Sequence, residues 1–132
     1  GFFNVIESDR LLYTRCVRGH PVLPNPVLPN PDYSIGIDEM AGTVYDNATS
    51  LRWMRCSMLE NGQADPDPDC SGTHGVYTWN QAVNACSSLT FAGRSDWRLP
   101  TIRELFSLVT YAVDNSNYLE TRSIDGNAFP WP

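Results

Sequence analysis

Five prolines fall within eleven residues of this chain, where Pro21-Val22-Leu23-Pro24-Asn25 is followed at once by Pro26-Val27-Leu28-Pro29-Asn30 and then Pro31. Proline lacks the N–H that a helix interior or central strand requires and holds φ near about −65°, so a segment this dense in it joins no regular element. Residues 19–34 therefore read as an extended, polyproline-II-like linker whose sixteen residues, at about 3.1 Å each, reach roughly 50 Å. The linker divides the chain into an N-terminal arm, residues 1–18, and a body, residues 35–132.

The four cysteines, Cys16, Cys56, Cys70 and Cys86, are well separated, with no C-x-x-C pair, and His20 and His74 stand alone. Zinc ligands converge at short spacings, so this pattern points to two disulfides and an oxidising compartment. The net charge of −6 argues against nucleic acid as a partner. All nine basic residues are arginine, which excludes Schiff-base and P-loop lysine chemistry. No apolar run has the length of a membrane span. An exported chain of this kind would already have lost its leader.

In the arm, Phe3, Val5 and Ile6, then Leu11, Tyr13, Cys16 and Val17, read as a hairpin about Glu7-Ser8-Asp9. In the body, 43–49 and 51–56 read as two strands joined by an Asp-Asn turn, and 57–75 as a loop. Two helices follow. The first is capped by Thr78 with Gln81, and its stripe is Trp79, Ala82, Val83, Cys86 and Leu89. The second is capped by Thr101 with Glu104, and its stripe is Ile102, Leu105, Leu108, Val109 and Ala112. After residue 113 the sequence reads as irregular.

The run Ser95-Asp96-Trp97-Arg98-Leu99-Pro100-Thr101-Ile102-Arg103-Glu104-Leu105 is the most specific feature. With Thr49–Cys56 and Tyr77–Ala82 it resembles the Legionella collagen-like protein C-terminal domain family (Lcl-C) over roughly residues 40–130. That family occurs widely in exported bacterial proteins and is grouped with C-type-lectin-like folds; Arg98-Leu99-Pro100-Thr101 with Glu104 also resembles the formylglycine-generating enzymes of the same superfold. The resemblance implies an α+β, lectin-like fold with two helices on a small, mostly antiparallel sheet. The residues themselves add that Pro100 ends a strand and fixes the helix entry, that Trp97 and Leu99 alternate with Asp96 and Arg98, and that Arg98 has the donors to tie loop carbonyls or a carboxylate beneath the core. Trp97, Arg98, Leu99, Pro100, Thr101 and Glu104 are accordingly read as structural.

Family members tend to close on a strand like Tyr13-Thr14-Arg15-Cys16-Val17-Arg18-Gly19, which here comes first, ahead of the linker; residues 35–132 thus look like an incomplete domain. Three explanations fit: a fragment of a tandem repeat, a circular permutant, or a strand that completes a neighbouring molecule. The length of the linker favours a second repeat or a second molecule. Lectin-like folds commonly bridge the first helix to the final strand, so the resemblance implies Cys16–Cys86, within or between chains, and a local Cys56–Cys70 bridge.

For metal, Asp114, Asn115, Asn117 and Asp125 form an oxygen-rich stretch after the second helix whose ligand type suits calcium, while Asp65-Pro66-Asp67-Pro68-Asp69 reads as a solvated loop. For a sugar, Trp97, Tyr118, Phe129 and Trp131 are the aromatic candidates, with Trp53 and Trp79 read as core. Some relatives bind sulfated polysaccharides; the acidity of this chain and its lack of lysine argue against that property here. Asn47-Ala48-Thr49 is a sequon read as incidental. No spacing suggests a Ser-His-Asp or Cys-His set, and the late reactive cysteines of the formylglycine enzymes are missing, so the expected function is non-enzymatic. The leading expectation is a secreted or cell-surface bacterial module for adhesion or recognition, with glycan as a ligand class, displayed in tandem or strand-linked copies. The alternative is a filament subunit that polymerises by donating residues 1–18.

Overall fold

A computed structural model of the chain describes residues 11–21, 30–113, 120–124 and 128–129, with the backbone alone for Phe106, 109–113 and 120–124. Among the described residues the elements in order are β1 (Val17–Arg18), β2 (Tyr33–Ile35), β3 (Thr43–Asp46), β4 (Leu51–Met54), α1 (Trp79–Ser87), α2 (Ile102–Ser107), β5 (Val109–Val113) and β6 (Glu120–Ile124), with a 3-10 turn at Asp38–Met40. The fold is α+β. β1, β4, β3 and β2 form an antiparallel sheet in that order, and β5 and β6 form a separate antiparallel pair.

The β3–β4 hairpin is fixed by its own turn. The buried Asp46 carboxylate accepts the Ala48 N–H at 3.0 Å and the Thr49 hydroxyl at 3.1 Å, and from across the sheet the Asp32 N–H at 3.0 Å. Such side-chain capping of a turn is what aspartate does well. Ser50 completes the reversal with φ +61°.

Strand alternation then makes two cores. Val17, Val44, Leu51 and Trp53 face Leu105 of α2 and Leu108 just past its end, with Phe129 packed among them. Cys16 and Met54 face the opposite way, towards Cys86 and Leu89 of α1 and its following turn, with Met58 and Trp97. The sheet is therefore a wall with an apolar layer on each side. Both disulfides are formed, Cys16–Cys86 and Cys56–Cys70, and all four cysteines are buried.

The arm is stitched into this body at many points. Leu12 and Tyr77 exchange N–H···O bonds of 2.9 Å, Thr14 accepts from Met58 at 2.7 Å, and Cys16 accepts from Met54 at 3.1 Å. Val17 exchanges bonds of 2.9 and 2.8 Å with Arg98, so β1 lies between β4 and the Trp97–Leu99 segment and is no open edge. Within this chain the strand of the arm pairs with the chain's own β4. β1 and β2 take opposite sides of a four-stranded sheet, which separates them by about 15 Å at the usual strand spacing. A linker of this length has that span to bridge within one chain.

Several expectations are revised. α2 stops at Ser107, and Val109 and Ala112, read as its stripe, belong to β5. The Val-Thr-Tyr-Ala-Val sequence is rich in β-branched and aromatic residues, and a 3-10-type bond from Leu108 to Leu105, 3.2 Å, ends the helix before it. The chain after residue 113, read as irregular, contains β6. Tyr33 and Ser34, read as linker, open β2 because the ladder with Tyr45 and Asp46 satisfies their backbone. Trp79, read as core, is 38% exposed at the first position of α1, whose buried residues are Ala82 and Cys86.

Candidate functional site

The Trp97–Glu104 motif is built inward. Trp97 is 2% exposed, and its Nε1 donates to the Phe91 carbonyl at 3.1 Å. Pro100 is buried, and Leu99 packs against the second core. The guanidinium of Arg98 forms a fork on Glu104, Nη1 to Oε1 and Nη2 to Oε2, both 2.7 Å, and also donates to the Gly19 carbonyl from Nε at 3.3 Å and Nη2 at 3.1 Å. Glu104 has no exposed surface. Its Oε1 accepts the Thr101 N–H at 2.8 Å while the Thr101 hydroxyl accepts the Glu104 N–H at 3.2 Å, which completes a capping box. One carboxylate thus joins the helix start, the motif strand and the end of the arm.

Of the aromatics considered for a sugar, Phe129 is corrected as well. It is 1% exposed, with edge-on contacts to Tyr33 (5.3 Å) and Trp53 (6.4 Å) and the Arg15 guanidinium 4.7 Å from its centroid. A ring so enclosed has no face for a sugar, and the same holds for Trp97. Tyr118 and Trp131, and the calcium candidates Asp114, Asn115, Asn117 and Asp125, lie outside the described residues. Among the described residues no group of three or more His, Cys, Asp or Glu side chains is placed to hold a metal. Asp65, in the loop closed by Cys56–Cys70, instead takes the N–H groups of Asp67 and Gly72 and meets Nε2 of His74 at 2.9 Å, so its carboxylate organises the loop. In the sequon, Asn47 Nδ2 donates to the Asp32 carbonyl and to Ser34 Oγ, both at 2.9 Å.

A different constellation lies on the face of the sheet opposite Val17, Val44 and Trp53. Arg18, Arg52, Tyr45 and Ser34 stand directly opposite one another on four successive strands and therefore share one face. Arg18 is held by Asp96 through Nε–Oδ1 at 2.7 Å and Nη2–Oδ2 at 3.0 Å. This hydrogen-bonded pair raises the basicity of Arg18 and draws the Asp96 carboxyl below the usual aspartate value. The Arg52 guanidinium lies 5.1 Å from the Tyr45 ring centroid, and its Nη1 donates to Thr43 Oγ1 at 2.9 Å. Burial lowers its pKa first, and the positive charges of Arg18 and Arg94 lower it further. Among the described residues no carboxylate pairs with Arg52.

These residues escaped the sequence reading because each comes from a different segment. Alternation along Thr43–Asp46 and Leu51–Met54 would put Tyr45 and Arg52 on one face once their turn was known, but nothing local places Arg18 or Arg94 beside them. At the level of families, the model of the Lcl C-terminal domain matches residues 42–131. That span takes in β3 to β6 and both helices, and leaves β1 and β2 outside it. No curated protein and no solved structure matches the chain.

Proposed function

The chain belongs to the Lcl C-terminal domain family, and from that membership we propose that it is a secreted or cell-surface module of lectin-like architecture that recognises a ligand rather than transforming one. The observation that carries the reading is the pair of buried disulfides, one of which pins the arm to α1. Such cross-links suit a module that must persist outside a reducing cell. With every cysteine bonded, the thiol chemistry of the formylglycine enzymes has no nucleophile in this chain. Binding to an array of bacterial and host glycans tests recognition directly; a flat array, repeated with calcium and with chelator, would count against it.

The arm belongs to its own chain in this reading. The hydrogen bonds from Leu12 to Val17 and the Cys16–Cys86 bond within one chain support fold-back over donation. Non-reducing gels and light scattering decide the point: a monomer-sized species agrees with fold-back, and a disulfide-dependent ladder of multimers would restore the filament reading.

A further inference from the structure

We propose that the row Arg18–Arg52–Tyr45–Ser34, with Arg94 at its margin, is a binding face for a saccharide that carries a single carboxylate. The proposal rests on the recognition reading above and names the ligand class and the place.

Charge is the first argument. Like charges directly opposite in an antiparallel pair are unfavourable, yet Arg18 faces Arg52 and the field of Arg94 reaches Arg52 as well. Asp96 answers one of these three arginines, and it is committed to Arg18 by two bonds. A chain with net charge −6 thus keeps a local excess of positive charge on a half-buried face. Arg52 loses basicity there first through burial and then through the charges of Arg18 and Arg94, and a bound anion would offset that repulsion.

The form of the donors selects the anion. A guanidinium is a planar fork that matches a carboxylate bidentately, and the cations here are all arginine. A polyanion would extend past the patch onto an acidic surface, so a ligand with one charge fits better than one with many.

The rest of the row selects the body that carries the charge. Beyond Arg52 the same line of the sheet presents the Tyr45 ring and then the exposed Ser34 hydroxyl. Ser34 Oγ already accepts from Asn47, which leaves its own hydrogen to donate. Cation, amphipathic ring and hydroxyl in succession suit a sugar ring with its acid at one end.

The test uses the whole chain labelled with nitrogen-15 and titrated with methyl glucuronoside, methyl glucoside and N-acetyl-aspartate amide at about 10 mM ionic strength, where charges act over about 30 Å. The uronide is expected to move the Nε–Hε signals of Arg52 and Arg94 and the Tyr45 backbone. The neutral glucoside and the ring-less carboxylate are expected to move them far less. Arg52→Gln is expected to weaken the uronide by about tenfold. Arg94→Gln, at an exposed position, should weaken it with the backbone spectrum unchanged, which keeps the test valid if Arg52→Gln perturbs folding. Equal response to the glucoside would overturn the role of charge, and equal response to the aspartate amide would overturn the sugar. Uronide shifts that map elsewhere, or that survive Arg94→Gln undiminished, would overturn the site while leaving recognition of glycans intact. A chain that binds array glycans yet shows no uronide response would have the same meaning, whereas a flat array together with no uronide response would remove both.

Discussion

Replacing Arg98 by methionine should be among the most damaging single changes available to this chain, and the reason lies in the partner left behind. Glu104 has no exposed surface and receives two bonds of 2.7 Å from Arg98 and one of 2.8 Å from the Thr101 N–H. Arg98→Met removes the countercharge and two of those donors, and strands a buried carboxylate; breaking a buried pair from one side costs about 3 to 5 kcal/mol. The Gly19 carbonyl loses its donors too, for about 1 kcal/mol more. The reverse change is milder, because the Arg98 side chain is 27% exposed and can return to water. Glu104→Leu should therefore cost about 1 to 3 kcal/mol. The double variant removes both charges and should cost less than Arg98→Met alone, which gives a coupling energy of about 2 kcal/mol or more.

Equilibrium urea unfolding followed by the fluorescence of the buried Trp53 and Trp97 reads these values, since both indoles leave the core on unfolding. Arg98→Met costing less than about 1 kcal/mol, or a double variant as costly as the sum of the singles, would refute the argument. The first result would mean that Glu104 finds other donors, and the second that the two side chains act through separate contacts.

Three further outcomes are expected. Removing Cys16–Cys86 as a double alanine variant should destabilise more than removing Cys56–Cys70, about 4 against about 3 kcal/mol on chain entropy, because their separations are 70 and 14 residues; equal urea midpoints would contradict the ordering. Burial pulls the pKa of the half-buried Arg15 well below the usual arginine value, to about 10, so the fold disfavours its charged form at neutral pH and recovers that cost only as pH rises through about 10. Arg15→Met should stabilise by about 1 kcal/mol once the lost cation–π contact with Phe129 is subtracted, and a fall in thermal midpoint would show that the contact outweighs desolvation. The Asp96 carboxyl is held below its usual 3.8 by its bonds to Arg18, so that tether contributes fully above 3.8 and is lost as pH falls through the lowered value. The Asp96 side chain is 63% exposed, which limits the effect to about 0.5 kcal/mol; the stability gap between wild type and Asp96→Asn should therefore close as pH falls through the lowered value, and a gap that persists once the carboxyl is protonated would exclude a titrating origin.

What the sequence disclosed follows from the range of each interaction. Both helix starts were legible because a capping box spans three residues, and Thr78 with Gln81 and Thr101 with Glu104 lie within one turn of chain. The β3–β4 hairpin was legible for a similar reason, its turn being held by Asp46 from inside the strand. The end of α2 was not, because Val109 and Ala112 fit a helical stripe and a strand equally well until Tyr111 opposes Arg122. Phe129 looked like a free aromatic because no periodic segment surrounds it; its burial comes from Tyr33 and Trp53, far away in the chain. The disulfide pairing came through resemblance, since spacing alone leaves the partners of four cysteines open.

The least legible residue, Arg18, connects the two main findings. Along Cys16–Arg18, Val17 faces the first core while Cys16 and Arg18 face the other way, Cys16 into the second core and Arg18 onto the half-buried face beyond it. One short segment, Cys16–Arg18, therefore completes both cores, carries the disulfide to α1 and supplies one end of the arginine row. Its attachment also brings Arg18 to Asp96, which settles one positive charge and leaves Arg52 and Arg94 to present theirs. If the arm were exchanged between molecules, the same bonds would make each row from two chains, with Arg18 from one and Arg52, Tyr45 and Ser34 from the other. Fold-back makes the face the property of a single chain, so the ownership of the arm fixes whether a monomer is competent to bind.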